Sequence, residues 1–65
     1  MSMLGQTIDE KFNIELGMDT YDGQYYVYDR INRQTMWFNT LGQARNYFEQ
    51  QVDYRKRLDK MKAPY

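Results

Sequence analysis

The sequence predicts an α+β domain: a three-stranded antiparallel β-meander with one long C-terminal α-helix packed across one of its faces. Three observations lead there. Apolar Phe12, Ile14, Leu16 and Met18 alternate with Asn13, Glu15, Gly17 and Asp19; two aromatic runs follow, separated by turn-forming residues; and after Thr40 the apolar residues recur at helical spacing. The 65 residues form one small domain, divided into an N-terminal segment over 1–10, the meander over 11–39 and the helix over 40–62.

Residues 12–19 have the period of a strand with one buried face. Asp22-Gly23 then signals a reversal, because Gly takes a positive φ at no steric cost and Asp tolerates one. Residues 24–29, dense in Tyr and Val, suit the second strand. Asp29-Arg30-Ile31-Asn32 fits a type I turn with Asn32 left-handed, a register that sets Asp29 opposite Arg33 and begins the third strand, 33–39. In that register Tyr26, Tyr28, Met36 and Phe38 share one face, and Tyr25, Val27, Thr35 and Trp37 share the other. A single helix covers only one of them.

Thr40 is a good N-cap, and Gln43 three residues on completes a capping-box pattern. Leu41, Ala44, Phe48 and Val52 form the stripe expected to cover the Phe38 face, while Tyr47, Tyr54, Leu58 and Met61 continue an apolar line that rotates around the helix until Pro64 stops it. A helix of that length spans about 33 Å against about 20 Å for a six-residue strand, so its last turns overhang the sheet. The overhang carries Arg55, Lys56, Arg57, Lys60 and Lys62 on its polar faces. Two fates are open to its apolar stripe: cover by Met3, Leu4 and Ile8 of the N-terminal segment, or presentation to a second copy or another protein.

Composition narrows the chemistry. The chain has no His and no Cys, which excludes disulfides and thiolate metal sites and removes the usual general base at neutral pH. Its only Ser is Ser2, and it has no Gly-rich phosphate loop, so no enzyme activity, no cofactor and no metal is expected. Asp19 and Asp22 read as solvated turn residues rather than cation ligands. No stretch approaches the ~20 apolar residues of a membrane span, residues 1–5 do not read as a secretory signal, and Asp53 and Asp59 disfavour a membrane-surface helix, which together predict a cytoplasmic protein.

Zero net charge conceals a split. Through Asp29 six acids face Lys11 alone, giving −5; from Arg30 onward eight bases face Glu49, Asp53 and Asp59, giving +5. Opposite halves of this kind either neutralise each other, within a chain or between copies, or form an acidic face and a basic tail aimed at different partners. Phe, Trp and Tyr make up 17% of the residues although the mean hydropathy is −0.97. A chain of this mass buries only about 60% of its unfolded surface, so the aromatic outer sheet face is either covered, by residues 1–10 or by a partner protomer, or left open as a patch that marks an interaction site.

The expected partner surface comprises Tyr25, Val27 and Trp37 on the outer sheet face and Tyr47, Tyr54, Leu58 and Met61 on the helix, with Arg55, Lys56 and Arg57 assisting encounter. A homodimer through the outer sheet face, the overhang or both is favoured. The alternatives are a single-stranded nucleic-acid binder, with Tyr25 and Trp37 stacking bases beside the basic helix end, and a structural subunit of a larger assembly. Asp19, Asp22 and Asp29 oppose phosphate near the sheet, so protein binding ranks above nucleic acid.

The run from Tyr25-Tyr26-Val27-Tyr28-Asp29 through Trp37-Phe38-Asn39-Thr40-Leu41-Gly42-Gln43-Ala44 resembles the ββα units of small phage-encoded accessory proteins. Several of those are stoichiometric inhibitors of host or defence enzymes, anti-CRISPR proteins among them. The resemblance spans roughly half the chain, rests on no diagnostic motif and transfers no site residue. It implies a non-catalytic inhibitor or modulator in the host cytoplasm; the zero net charge departs from the acidic, DNA-mimicking members.

Overall fold

A computed structural model describes residues 5–62, with side chains through residue 60. It shows an α+β fold of four antiparallel strands in one open sheet followed by one helix: β1 (Gln6–Lys11), β2 (Ile14–Met18), β3 (Tyr25–Asp29), β4 (Gln34–Phe38) and α1 (Leu41–Lys62). The sheet order is β1-β2-β3-β4, and α1 lies across β2, β3 and β4.

The additional strand corrects the three-strand expectation. The alternation that begins at Phe12 runs through a turn: Phe12 and Asn13 have φ of 52° and 65°, the sign pattern of a type I′ hairpin, with Lys11 paired to Ile14. β1 gave no strand signal because it has one large apolar residue, Ile8, and little burial to encode. Backbone pairing to β2, rather than a hydrophobic face, makes it a strand.

The Asp22-Gly23 reversal forms where expected. Gly23 has φ of 73° and donates its N–H to the Asp19 carbonyl at 2.8 Å, Asp19 donates to Gln24 at 2.7 Å, and the Asp19 carboxylate accepts the Tyr21 N–H at 2.8 Å. The next connection slips by one residue. Asp29 pairs with Gln34, not Arg33, and the left-handed residue is Arg33 (φ 56°) rather than Asn32.

That slip changes which side chains share a face, because strand side chains alternate with a period of two. Cross-strand partners are Tyr25 with Phe38, Tyr26 with Trp37, Val27 with Met36 and Tyr28 with Thr35. Tyr25 and Val27 therefore join Met36 and Phe38 on the helix side, and Tyr26 and Tyr28 join Thr35 and Trp37 outside. The strongly apolar Ile14, Leu16 and Val27 select this arrangement, since together with Ala44 and Phe48 they form the buried core.

The helix follows its sequence signals. Thr40 Oγ1 accepts the Gln43 N–H at 3.2 Å, and the Thr40 carbonyl accepts from Ala44 at 3.2 Å. Ala44 and Phe48 are buried, with Leu41, Tyr47 and Val52 packed around them. Tyr47 meets Phe38 with ring centroids 5.4 Å apart. The expected roles of Met3, Leu4, Pro64 and the Met61 side chain fall outside the described residues. Among the described residues no helix is long and apolar enough to cross a membrane.

Candidate interaction groove

Three segments distant in sequence meet at the end of the sheet beneath the helix overhang. The β1–β2 turn supplies Phe12 and Asn13, the β3–β4 loop supplies Ile31 and Asn32, and α1 supplies Tyr54, Arg55, Leu58 and Asp59. They enclose a groove of about 410 Å³. Phe12, Ile31 and Tyr54 are 43%, 61% and 56% exposed, an unusual concentration of large apolar groups in solvent for a small chain.

Asp29 holds this corner together. Its Oδ1 accepts the N–H groups of Ile31 at 3.0 Å and Asn32 at 3.2 Å, and its Oδ2 accepts Asn32 Nδ2 at 2.9 Å and an Arg55 guanidinium nitrogen at 2.5 Å. Burial pushes the Asp29 carboxyl up, but the Asn32 and Ile31 backbone N–H groups, the Asn32 side chain and Arg55 outweigh it and hold the group below its ordinary value. One carboxylate thus shapes the loop and ties the helix to it. A second tie runs from the Arg30 N–H to the Asn13 carbonyl at 3.0 Å, joining the loop to the β1–β2 turn. Phe12 meanwhile adopts the left-handed backbone that costs an L-residue about 1–2 kcal/mol, and this turn sets its ring at the groove.

The outer sheet face is built differently. Glu15, only 4% exposed, accepts hydrogen bonds from Tyr26 Oη at 2.6 Å and Thr7 Oγ1 at 2.8 Å, and pairs with Arg30 at 3.2 Å. Arg30 also pairs with Glu10, which lies directly opposite Glu15, so one guanidinium bridges two like charges. Tyr26 lies over Gly17 and is fully buried, with the Trp37 ring 5.7 Å away at 59°. This is a closed polar network where the sequence pointed to an open aromatic platform.

The expected contact residues therefore disperse. Tyr54, Arg55 and Leu58 meet in the groove. Val27 is core and Tyr25 packs against it, a correction that follows from the register slip, and it separates Tyr25 from Trp37 by the thickness of the sheet. Tyr47 is half-buried on Phe38. Arg55 is engaged by Asp29, Arg57 pairs with Asp53 at 2.9 Å, and Lys56 lines a different, charged cleft beside β1. The pairs of Arg30 with Glu10 and Glu15 and of Arg55 with Asp29 join the acidic half of the chain to the basic half. Phe12 and Ile31 were absent from the expected set. Their signal was present: a large apolar residue within each of two turns, where small or polar residues are usual.

Among the described residues no group of three or more His, Cys, Asp or Glu is placed to hold a metal ion. Comparison with protein families, with curated proteins and with solved structures gives no match to this chain.

Proposed function

We propose that this is a non-catalytic binding protein that uses the groove between the helix overhang and the two sheet turns to hold an apolar segment of another protein. The observation that carries the reading is the convergence of Phe12, Ile31, Tyr54 and Leu58 from three separate segments, with Ile31 and Tyr54 more than half exposed and Phe12 nearly so. Large side chains clustered in a concave, partly dry site are what dominate protein interfaces. The polar rim of Asn13, Asn32 and Asp59 supplies hydrogen bonding without a concentrated positive charge. Acting by occupancy alone, such a protein would inhibit or modulate its target stoichiometrically, as the resemblance to phage accessory proteins implies.

Ile31 and Tyr54 are exposed, so Ile31→Asp and Tyr54→Ala should leave the fold intact while removing the groove's apolar character. Captures from a host lysate with the wild type and both variants, read by mass spectrometry, test the reading. A partner retained by the wild type and lost by both variants supports it. Equal capture by all three, or salt-sensitive oligonucleotide binding in place of protein capture, overturns it.

A further inference from the structure

The two edges of the sheet are treated unequally. β1 carries Asp9, Glu10 and Lys11 and is bulged between Thr7 and Asp9, the devices by which a sheet edge resists pairing. β4, Gln-Thr-Met-Trp-Phe, has no charge, no Pro and no bulge in its pairing to β3, and among the described residues no strand pairs with its other side. The helix repeats the contrast. The cleft of about 220 Å³ above β1 is lined by Asp9, Lys11, Arg45, Glu49, Asp53 and Lys56 among others. The one of about 70 Å³ above β4 has Tyr47, Gln51, Gln34 and Met36 among its walls, and its one charged side chain, Asp29, is already paired with Arg55. Within the strand and in the cleft above it the β4 side is therefore poor in charge, with the exposed Arg33 lying just before the strand, as in the core of an interface with a charged rim.

We infer that β4 is a dimerisation edge, at which a second copy of this chain pairs β4 to β4, antiparallel, about a two-fold axis at Met36. The ladder geometry suits it. Arg30 donates to Asn13 and Asp19 to Gln24, which fixes the alternation: Asp29, Val27 and Tyr25 turn their backbone groups toward β4, so Gln34, Met36 and Phe38 turn theirs toward β3. The N–H and C=O groups of Thr35 and Trp37 are left on the free edge. In the two-fold pairing Thr35 of one copy and Trp37 of the other exchange both bonds, and Met36 faces Met36 as the close, non-hydrogen-bonded pair. Every cross-strand pair in that register is uncharged. Met36 and Trp37, each 45% exposed on opposite faces, are both covered by it. The product is an eight-stranded sheet with both helices on one side and a groove at each far corner.

The full-length chain is tested by analytical ultracentrifugation over a concentration series, with Thr35→Pro and Met36→Lys as variants. The proline removes an outward N–H and no bond to β3, and the lysine sets two like charges on the axis. The wild type should sediment at twice the chain mass and both variants at the chain mass, with far-UV circular dichroism unchanged. A cysteine-free chain allows an independent readout. Oxidised Met36→Cys should form a covalent dimer far faster than Glu10→Cys on the other edge, because a non-hydrogen-bonded antiparallel pair brings Cα atoms to about 4.5 Å. A monomeric wild type overturns the inference. So does a folded Met36→Lys variant that remains dimeric, or equal cross-linking at the two edges.

Discussion

On the helix side of β2, Ile14 and Leu16 are stripped of solvent by Val27, Ala44 and Phe48; on its outer side Glu15 and Gly17 are as deeply hidden, beneath Tyr26 and a set of charged hydrogen bonds. The first face is held by apolar area and tolerates any side chain of similar shape. The second is held by matched donors and acceptors around a carboxylate, where loss of one partner leaves a buried polar group unpaired. This central strand of the sheet is thus buried on both sides by different physics, while Trp37 on the outer face stays 45% exposed and Ile8 in β1 41% exposed.

Leu16→Ala attacks the apolar face and should have the largest effect, about 3 kcal/mol measured by urea denaturation, a large share of the stability of so small a domain. Gly17→Ala attacks the outer face sterically. Its Cβ would lie 2.3 Å from Tyr26 Oη and 2.7 Å from the Gln6 carbonyl oxygen, so the ring must move. A loss of about 2 kcal/mol is expected, together with a shift in the emission of Trp37, the only tryptophan. Tyr26→Phe keeps the ring and deletes one donor to Glu15, which should cost about 1.5 kcal/mol. A Tyr26→Phe loss as large as that of Leu16→Ala would mean that polar satisfaction outweighs area on this sheet.

Asp29 extends the comparison to the groove. Its carboxyl titrates below its ordinary value in the folded chain because hydrogen bonds and Arg55 outweigh burial. A depressed folded value means the contribution is fully present above the unfolded carboxyl's range and is lost as pH falls through the folded value. Asp29→Asn should therefore be about 1 kcal/mol less stable at neutral pH, with the gap to wild type closing on acidification. A gap independent of pH would show that the loop needs Asp29's shape and not its charge. The smallest effect belongs to Arg57→Ala: its pair with Asp53 is 74% and 57% exposed, and a change under about 0.5 kcal/mol is expected in the same denaturation measurement.

Much of this molecule is legible where a residue's local chemistry and its tertiary role agree. Thr40 caps the helix it was expected to cap, Ala44 and Phe48 fill the core, and Gly23 turns the chain. Legibility fails where they differ. Phe12 fits the apolar alternation of β2 but sits in a turn, and β1 has almost no apolar pattern yet forms a strand because β2 offers it a backbone ladder. Asp29 needed an arginine and found one 26 residues away rather than across the hairpin. The groove was half visible, through Tyr54 and Leu58; Phe12 and Ile31 complete it only because two hydrogen-bonded turns and one ion pair converge.

The amino-acid sequence by itself sufficed for the hairpin of β3 and β4, the helix and its cap, the split of charge and most of the apolar core, whose signals lie a few residues apart; it did not suffice for β1, which has almost no pattern of its own. Only the tertiary structure decided the register of β4 and, with it, which aromatics are core and which surround Glu15. A one-residue slip in a loop moves every side chain of the strand to the other face, and in the register observed Phe38, opposite Tyr25, packs with Tyr25 and Tyr47 against the core of Ile14, Leu16, Val27, Ala44 and Phe48.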